Sequence, residues 1–395
     1  MLSREKCEVL IKLTKKSDCC GCHACSNICP KQCISIKNDN EGFWYPEIDK
    51  DKCIDCGLCE KVCPIINKID KDEKQIVSYA CKNKDNETRN KSSSGGVFTL
   101  LCEYVISKNG VVLGAAFNNE FEVNHMYAKT LEQCEKFRGS KYVQSKIGNT
   151  YRQAKEFLED GRIILFSGTQ CQIKGLNLFL NKEYDNLITT DIICHGVPSP
   201  KVFNIYKESL IQKYNSCIKD IRFRDKANGW KKFSYVTEFK NNKIYSKTLN
   251  DDIYMKGFLD NLYLRPSCYE CKAKNFLSSS DISLADYWGV QNIHSEFDDD
   301  KGTSLVLVNS KKGQDIFNEI SHNMDFIKTD LDYAISNNQC IVRPVKYNPK
   351  REKFFSELND DNIEEIINKY TKVTFMQKVK GKAFGALRKV KNLIT

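Results

Sequence analysis

Cys19-Cys20-Gly21-Cys22-His23-Ala24-Cys25-Ser26-Asn27-Ile28-Cys29-Pro30 is followed, after a short interval, by Cys53-Ile54-Asp55-Cys56-Gly57-Leu58-Cys59-Glu60-Lys61-Val62-Cys63-Pro64. Counted from Cys19 and from Cys53, both runs read C-x-x-C-x-x-C-x-x-x-C-P, the spacing of a two-cluster 4Fe–4S protein. Three thiolates at this spacing wrap one iron–sulfur cube, the fourth reaches the neighbouring cube, and the proline turns the chain away. The expected ligand sets are therefore Cys19, Cys22, Cys25 and Cys63 on one cluster, and Cys53, Cys56, Cys59 and Cys29 on the other. Paired zinc ribbons are the rival reading of C-x-x-C pairs. Two complete runs, each closed by Cys-Pro, favour iron and sulfide.

Outward from this stretch, 395 residues are enough for more than one domain. Twenty cysteines in a long chain that opens Met1-Leu2-Ser3-Arg4-Glu5-Lys6, without an apolar signal core, point away from a secreted disulfide scaffold. No apolar run reaches the ~20 residues that span a bilayer. The thiols are then expected to be metal-bound or reduced, in the cytoplasm. Net charge is +10, but seven Lys and Arg with no Asp or Glu lie in 372–395, leaving the rest near +3. A body so close to neutral gives no support to nucleic-acid binding.

The expected organisation is α+β and α/β: a ferredoxin-like domain over 1–67, a linker over 68–75, and a mixed α/β domain over 76–345. A helical segment over 346–371 and a basic tail over 372–395 follow. Residues 1–17 read as a leading helix with Val9, Leu10 and Leu13 on one face, and Gly42-Phe43-Trp44-Tyr45-Pro46 as the turn joining the ferredoxin halves. Cys20 and Cys33 fall outside the ligand spacing and read as spare cysteines; His23 reads as incidental. Apolar periodicity predicts strands over 76–81, 111–117, 162–166 and 187–193 alternating with helices over 97–105, 151–158, 173–180 and 201–214. That alternation implies a largely parallel sheet. Consecutive strands over 218–223, 233–239 and 244–248 mark a change to α+β.

Three constellations carry chemistry. Ser92-Ser93-Ser94-Gly95-Gly96 precedes a helix, and is either a phosphate cradle at its N-terminus or the cap of a flexible loop. Arg138-Gly139-Ser140-Lys141-Tyr142-Val143-Gln144-Ser145 is either a contact for a polar, phosphate-bearing cofactor or a solvated loop. Cys171 and Cys194 each follow a strand, and a helix between those strands makes them parallel, so both cysteines belong at one carboxyl edge, where open α/β sheets bind ligands. With Cys268-Tyr269-Glu270-Cys271 they form either a third cluster site or a scatter of buried cysteines.

With these motifs in hand, the chain resembles the beta subunits of coenzyme F-420 hydrogenases and dehydrogenases, a family of iron–sulfur flavoproteins. The stretches that carry the resemblance, besides the serine-glycine and Arg138–Ser145 loops, are Phe166-Ser167-Gly168-Thr169-Gln170-Cys171-Gln172, Asp191-Ile192-Ile193-Cys194-His195-Gly196-Val197-Pro198-Ser199, and Phe223-Arg224-Asp225-Lys226 with Gly229-Trp230. Arg265-Pro266-Ser267-Cys268-Tyr269-Glu270-Cys271, Asp281-Ile282 and Asp286-Tyr287-Trp288-Gly289 complete the set, over roughly residues 15 to 345. Gln170 stands where proline is usual, and Ala285 where glycine is usual. The resemblance implies FAD, held by Ser93, Ser94, Gly95, Gly96, Arg138, Lys141, Tyr142, Gln144, Gly168 and Thr169. It also implies a third 4Fe–4S cluster on Cys171, Cys194, Cys268 and Cys271, and hydride exchange with a deazaflavin coenzyme or another small heterocyclic or saccharide-linked substrate. Lys141 or Arg138 is placed to offset the negative charge of reduced flavin, and His195 to hydrogen-bond the cluster, donate to substrate, or serve structure alone. A redox partner protein or ferredoxin is expected on the electron side, and a non-catalytic electron-transfer subunit is the alternative.

In the tail, Met376, Val379, Ala383, Leu387, Val390 and Ile394 recur at helical spacing among six cations. Such a basic amphipathic helix either lies in the cytoplasmic membrane interface or docks on its own domain.

Overall fold

The computed structural model describes residues 14–67 and 76–371. All but the end of the expected leading helix, the 68–75 linker and the 372–395 tail lie outside the described residues.

In the N-terminal module, short helices Ala24–Ile28 and Leu58–Lys61 fall inside the two cysteine runs, and the strands β1 (Ile34–Asn38) and β2 (Trp44–Ile48) form an antiparallel hairpin between them. Trp44, Tyr45 and Pro46, expected in the turn, belong to β2. The reversal lies one step earlier, where Asp39 Oδ1 accepts from the backbone N–H of Glu41 (3.0 Å) and Phe43 (2.9 Å). That local side-chain bond closes the turn before the aromatic run begins.

The body is built on β3 (Val77–Asn83), β4 (Val111–Phe117), β5 (Val123–Ala128), β6 (Ile164–Thr169) and β7 (Leu187–Ile192), then β8 (Ile218–Asp225), β9 (Ser234–Phe239), β10 (Ile244–Thr248), β11 (Ile282–Asp286), β12 (Ser304–Val308) and β13 (Met324–Lys328). Eight of these form one sheet in the order β13-β3-β12-β11-β7-β6-β4-β5, and β10-β9-β8 form a second. The parallel expectation holds for the centre, β4-β6-β7-β11. It fails at the flanks, where β5 is antiparallel to β4, and β12, β3 and β13 pair antiparallel. The late strands β11 and β12 insert between β7 and β3, so the first strand of the body does not neighbour the second.

Alternation along the central strands buries both faces. Val112, Leu165 and Ile188 pack beneath the helices Val97–Ser107 and Lys311–Ile320. Val111, Leu113, Ile164 and Phe166 pack beneath Thr150–Glu159 and Gln170–Leu180, together with Cys22, Ala24 and Val62 of the N-terminal module. The small sheet, with helices Pro200–Tyr214, Ile253–Leu259, Arg351–Glu357 and Ile363–Thr371, encloses an aromatic core containing Phe223, Tyr235, Tyr254 and Phe354.

Three arginines fasten the N-terminal module to the body. Arg152 donates to the carbonyls of Asn27 (2.5 Å), Ser26 (3.0 Å) and Cys29 (3.2 Å), satisfying the end of the first short helix. Arg265 donates to the carbonyls of Cys19 (2.8 Å) and Trp44 (2.9 Å). Arg351 makes a buried ion pair with Glu41. Among the described residues no helix is long and apolar enough to cross a membrane.

Candidate functional site

The two cysteine runs close on each other as hollows. Cys19, Cys22, Cys25 and Cys63 line one, with Trp44 and Pro46; Cys29, Cys53, Cys56 and Cys59 line the other, with Ile34 and Ile48. Among the described residues no three His, Cys, Asp or Glu side chains converge as on a single metal ion. The thiols line the two hollows, a donor chemistry that fits iron–sulfur clusters. Gly175 makes room for the first set: a Cβ there would meet Cys22 Sγ at 3.0 Å.

A third thiol hollow lies at the carboxyl edge of β6 and β7. Cys171 stands in the first turn of Gln170–Leu180, behind the N-cap Thr169, whose Oγ1 is 3.3 Å from Cys171 Sγ. Cys194 follows β7, and Cys268 and Cys271 come from the turn after Arg265; all four line one cavity. Cys268 Sγ accepts from Val197 N–H (3.4 Å). Burial pushes the Cys194 thiol up and that of Cys268 to about 12; a hydrogen bond with Cys20, then burial, raises Cys171. Thiols held protonated in this way ionise when a metal displaces the proton.

A larger cavity of about 290 Å3 adjoins this hollow. Its floor is the ends of the parallel strands: Gly114 and Ala115 of β4, Ser167 to Thr169 of β6, and Leu284 to Asp286 of β11. Its rim is the serine loop and the Arg138–Val143 loop. Thr169, Gln172, Cys194, His195, Gly196 and Val197 line both spaces, so one wall separates the thiols from the cavity.

The rim is fixed by long-range pairing. Ser93 Oγ accepts from the backbone N–H (2.7 Å) and hydroxyl (3.0 Å) of Ser140, tying the two loops together. The buried guanidinium of Arg224 donates to Ser93 O (3.1 Å), to Tyr142 Oη (3.1 Å) and to both carboxylate oxygens of Asp286 (2.6 and 3.1 Å), and lies 4.1 Å from the centre of the Phe233 ring. Trp230 Nε1 donates to the same carboxylate (3.0 Å), and Lys226 Nζ to Ser94 O (2.7 Å). The chain then enters the helix through Gly96 at φ +85°, with no side chain capping it. First-turn amides of an 11-residue helix without a side-chain cap suit an anion.

Ser93, Ser94, Gly96, Arg138, Lys141, Tyr142, Gly168 and Thr169 line this cavity. Gly95 and Gln144 do not. Gly95 is packed against the sheet, where a Cβ would meet Cys81 O at 2.3 Å. Gln144 lies between the cavity-lining Val143 and Ser145 but turns to the N-terminal module: it donates to Cys20 O (3.4 Å) and accepts from Arg265 (3.1 Å). His195 faces protein at both ring nitrogens: Nε2 pairs with Asn261 Oδ1 (2.6 Å) and Nδ1 with Cys340 Sγ (3.7 Å). Cys20, read as spare, lines the third hollow together with Cys171 and the Cys19 hollow together with Cys22. Cys33 lies 3.4 Å from Cys29 Sγ. Lys141 Nζ donates to the carbonyls of Lys136 (2.7 Å) and Arg138 (3.1 Å); desolvation lowers its ammonium to about 7, against an opposing pull from Asp220.

Comparison with known proteins bears on the whole arrangement. Residues 78–150 match the family model for the N-terminal part of the coenzyme F420 hydrogenase/dehydrogenase beta subunit, and residues 161–332 that for its C-terminal part, together more than half of the chain. The chain belongs to the family of coenzyme F420 hydrogenase/dehydrogenase beta subunits. Residues 18–65 match a 4Fe-4S dicluster domain, so this family member is an iron–sulfur redox protein. It is similar to a subunit of the F(420)H(2) dehydrogenase of Methanosarcina mazei, 23% identical over 270 residues, 64% of this chain and 71% of that protein. Its module is 41% identical over 64 residues to a 7Fe ferredoxin of Hydrogenibacillus schlegelii, covering 16% of this chain and 76% of the ferredoxin. A chain of the F420-reducing [NiFe] hydrogenase complex from Methanosarcina barkeri aligns at 18% identity and TM-score 0.46, over 69% of this chain and 93% of that one.

Proposed function

We propose that this family member is a flavin-dependent iron–sulfur oxidoreductase, with FAD in the 290 Å3 cavity and three 4Fe–4S clusters on the three thiol sets. The observation that carries this reading is the shared wall from Cys194 to Val197, with the third set on one side and the cavity on the other. When bound, a flavin exchanges electrons in pairs with a small substrate and singly with a cluster. The chain's own part is positional. The helix end at Gly96 and the cations Arg138 and Lys141 receive the anionic portion of the cofactor, and the strand ends form the floor under its ring system. The substrate is a deazaflavin coenzyme or another small heterocyclic or saccharide-linked molecule, and the electron partner a ferredoxin or a partner subunit.

FAD is expected to bind once per chain, and Lys141→Met to weaken it. A lysine whose pKa is lowered to about 7 is charged below that pH and neutral above it. Affinity for an anionic cofactor therefore falls as pH rises through about 7 and beyond in the native protein, and stays flatter in the variant. Fluorescence titration of FAD onto deflavinated, iron-loaded protein at pH 6 and pH 8.5 checks both. Iron-loaded protein that binds no FAD would instead be an electron-transfer subunit.

A further inference from the structure

Seven Lys and Arg side chains are buried among the described residues: Arg89, Lys174, Lys207, Arg224, Arg265, Lys274 and Arg351. A buried cation is costly, by several kcal/mol even after relaxation, unless an anion compensates it. Four of the seven have a carboxylate: Arg89 with Asp299, Lys207 with Glu208, Arg224 with Asp286, and Arg351 with Glu41. The other three form no ion pair among the described residues, and all three belong to the surroundings of the Cys19 hollow and the third hollow, here the two inner sites; the Cys29 hollow, with its exposed Cys56, is the outer one.

Arg265 is fully buried, donates to Cys19 O, Trp44 O and Gln144 Oε1, all uncharged acceptors, and lies 4.3 Å from the centre of the Tyr45 ring. It is bound to the backbone of Cys19 and leads into the turn that carries Cys268, and its charge is felt by the thiols of Cys19, Cys20 and Cys268. Lys174 is 3% exposed and stands on the helix Gln170–Leu180 one turn after Cys171 and next to Gly175, where a Cβ would meet Cys22 Sγ at 3.0 Å; its charge is felt by Cys20, Cys63 and Cys271. Lys274 Nζ donates to the carbonyls of Cys194 and Cys340 and faces Cys194 and Cys271. Among the described residues no buried Lys or Arg lines the Cys29, Cys53, Cys56, Cys59 hollow, where Cys56 is exposed and Lys31 lies at the surface.

A cluster held by four thiolates is a net anion that becomes more negative on reduction, and its potential follows net charge and solvent exposure. A buried cation nearby stabilises the reduced form more than the oxidised one, and burial protects that effect from salt. We propose that Arg265, Lys174 and Lys274 are positioning residues that surround the two inner sites with unscreened positive charge, holding their reduction potentials above that of the outer site. Arg265 and Lys174 act on both inner sites, and Lys274 on the third alone. The assignment rests on the reading that the inner thiol sets carry 4Fe–4S clusters.

The test is an EPR-monitored redox titration of anaerobically purified full-length protein, with iron measured on every sample. Lys174→Met is expected to lower the potentials of both inner sites, and Lys274→Met that of the third. The expected scale is on the order of tenfold in the one-electron equilibrium, about 59 mV. The outer site stays unchanged in both, and Lys174→Arg and Arg265→Lys keep the native values. Arg265→Gln repeats the Lys174 result if it loads iron; if it does not, the two lysine variants decide. Fully loaded Met variants with native inner potentials would overturn the proposal, as would an equal shift at all three sites. A native protein carrying iron only at the ferredoxin sets would remove the third site from the reading, and the Lys174→Met shift at the Cys19 site would then decide the inference by itself.

Discussion

Replacing Cys171 or Cys268 by alanine is expected to remove about four irons per chain while the signals of the ferredoxin clusters persist. Each residue supplies one wall of the third hollow, and the two reach it from elements far apart in sequence: Cys171 from the first turn of Gln170–Leu180, Cys268 from the turn after the Arg265 clamp. Losing either leaves three of the four proposed ligand thiols, and neither belongs to the sets around Cys22 or Cys56. The loss is thus expected to be all-or-none at one site. Cys20 is a spare thiol lining the same hollow as Cys171. The double variant Cys20→Ser/Cys171→Ala therefore guards against its substituting as a ligand. Iron and acid-labile sulfide analysis with low-temperature EPR checks the outcome; undiminished iron in Cys268→Ala and in the double variant would remove the third cluster.

Asp286→Ala is expected to cost about 3–5 kcal/mol of stability and to abolish FAD binding, because it strands the Arg224 guanidinium in the interior. Arg224 is 7% exposed and fastened to Asp286 by two hydrogen bonds, and through its other contacts it holds Ser93 of one rim loop and Tyr142 of the other. Without the carboxylate the guanidinium must be hydrated, and the rim opens with it. The stacked Trp230 and Trp288 rings, 4.7 Å apart, lose the acceptor that orients Trp230. Arg224→Met/Asp286→Leu removes both charges and is expected to recover most of the stability but not the flavin, since an apolar pair cannot hold Ser93 O. Denaturant unfolding with FAD quantification separates the two effects. Native stability and native FAD content in Asp286→Ala would contradict this account of the rim.

The two ferredoxin runs and the central βα alternation are local patterns, so they can be read directly: ligand spacing is set within a turn or two, and strand faces alternate with period two. The chain after Thr248 is less legible, because β11 and β12 take their places between β7 and β3 through pairing over long stretches of sequence. The same limit applies to the site. Arg224 and Asp286 stand in separate motifs, and nothing local says that they meet, or that they meet in order to hold Ser93. Cys20 falls outside the ligand spacing, and its place between two hollows follows from how the module docks on Gly175 and Arg265. Gln144 shares a polar loop with its neighbours, and its turn away from the cavity follows from long-range bonds to Cys20 O and Arg265 that no local pattern announces. The unpaired cations Arg265, Lys174 and Lys274 carry no sequence signal at all, since burial and the lack of a carboxylate partner are both properties of the fold.

Quantitative analysis of iron, acid-labile sulfide, zinc and flavin in protein purified under strict anaerobiosis distinguishes an iron–sulfur flavoprotein from a zinc protein. About twelve irons and as many sulfides per chain, from three 4Fe–4S clusters, with one FAD, is the predicted result. Stoichiometric zinc with negligible sulfide and no flavin would contradict it.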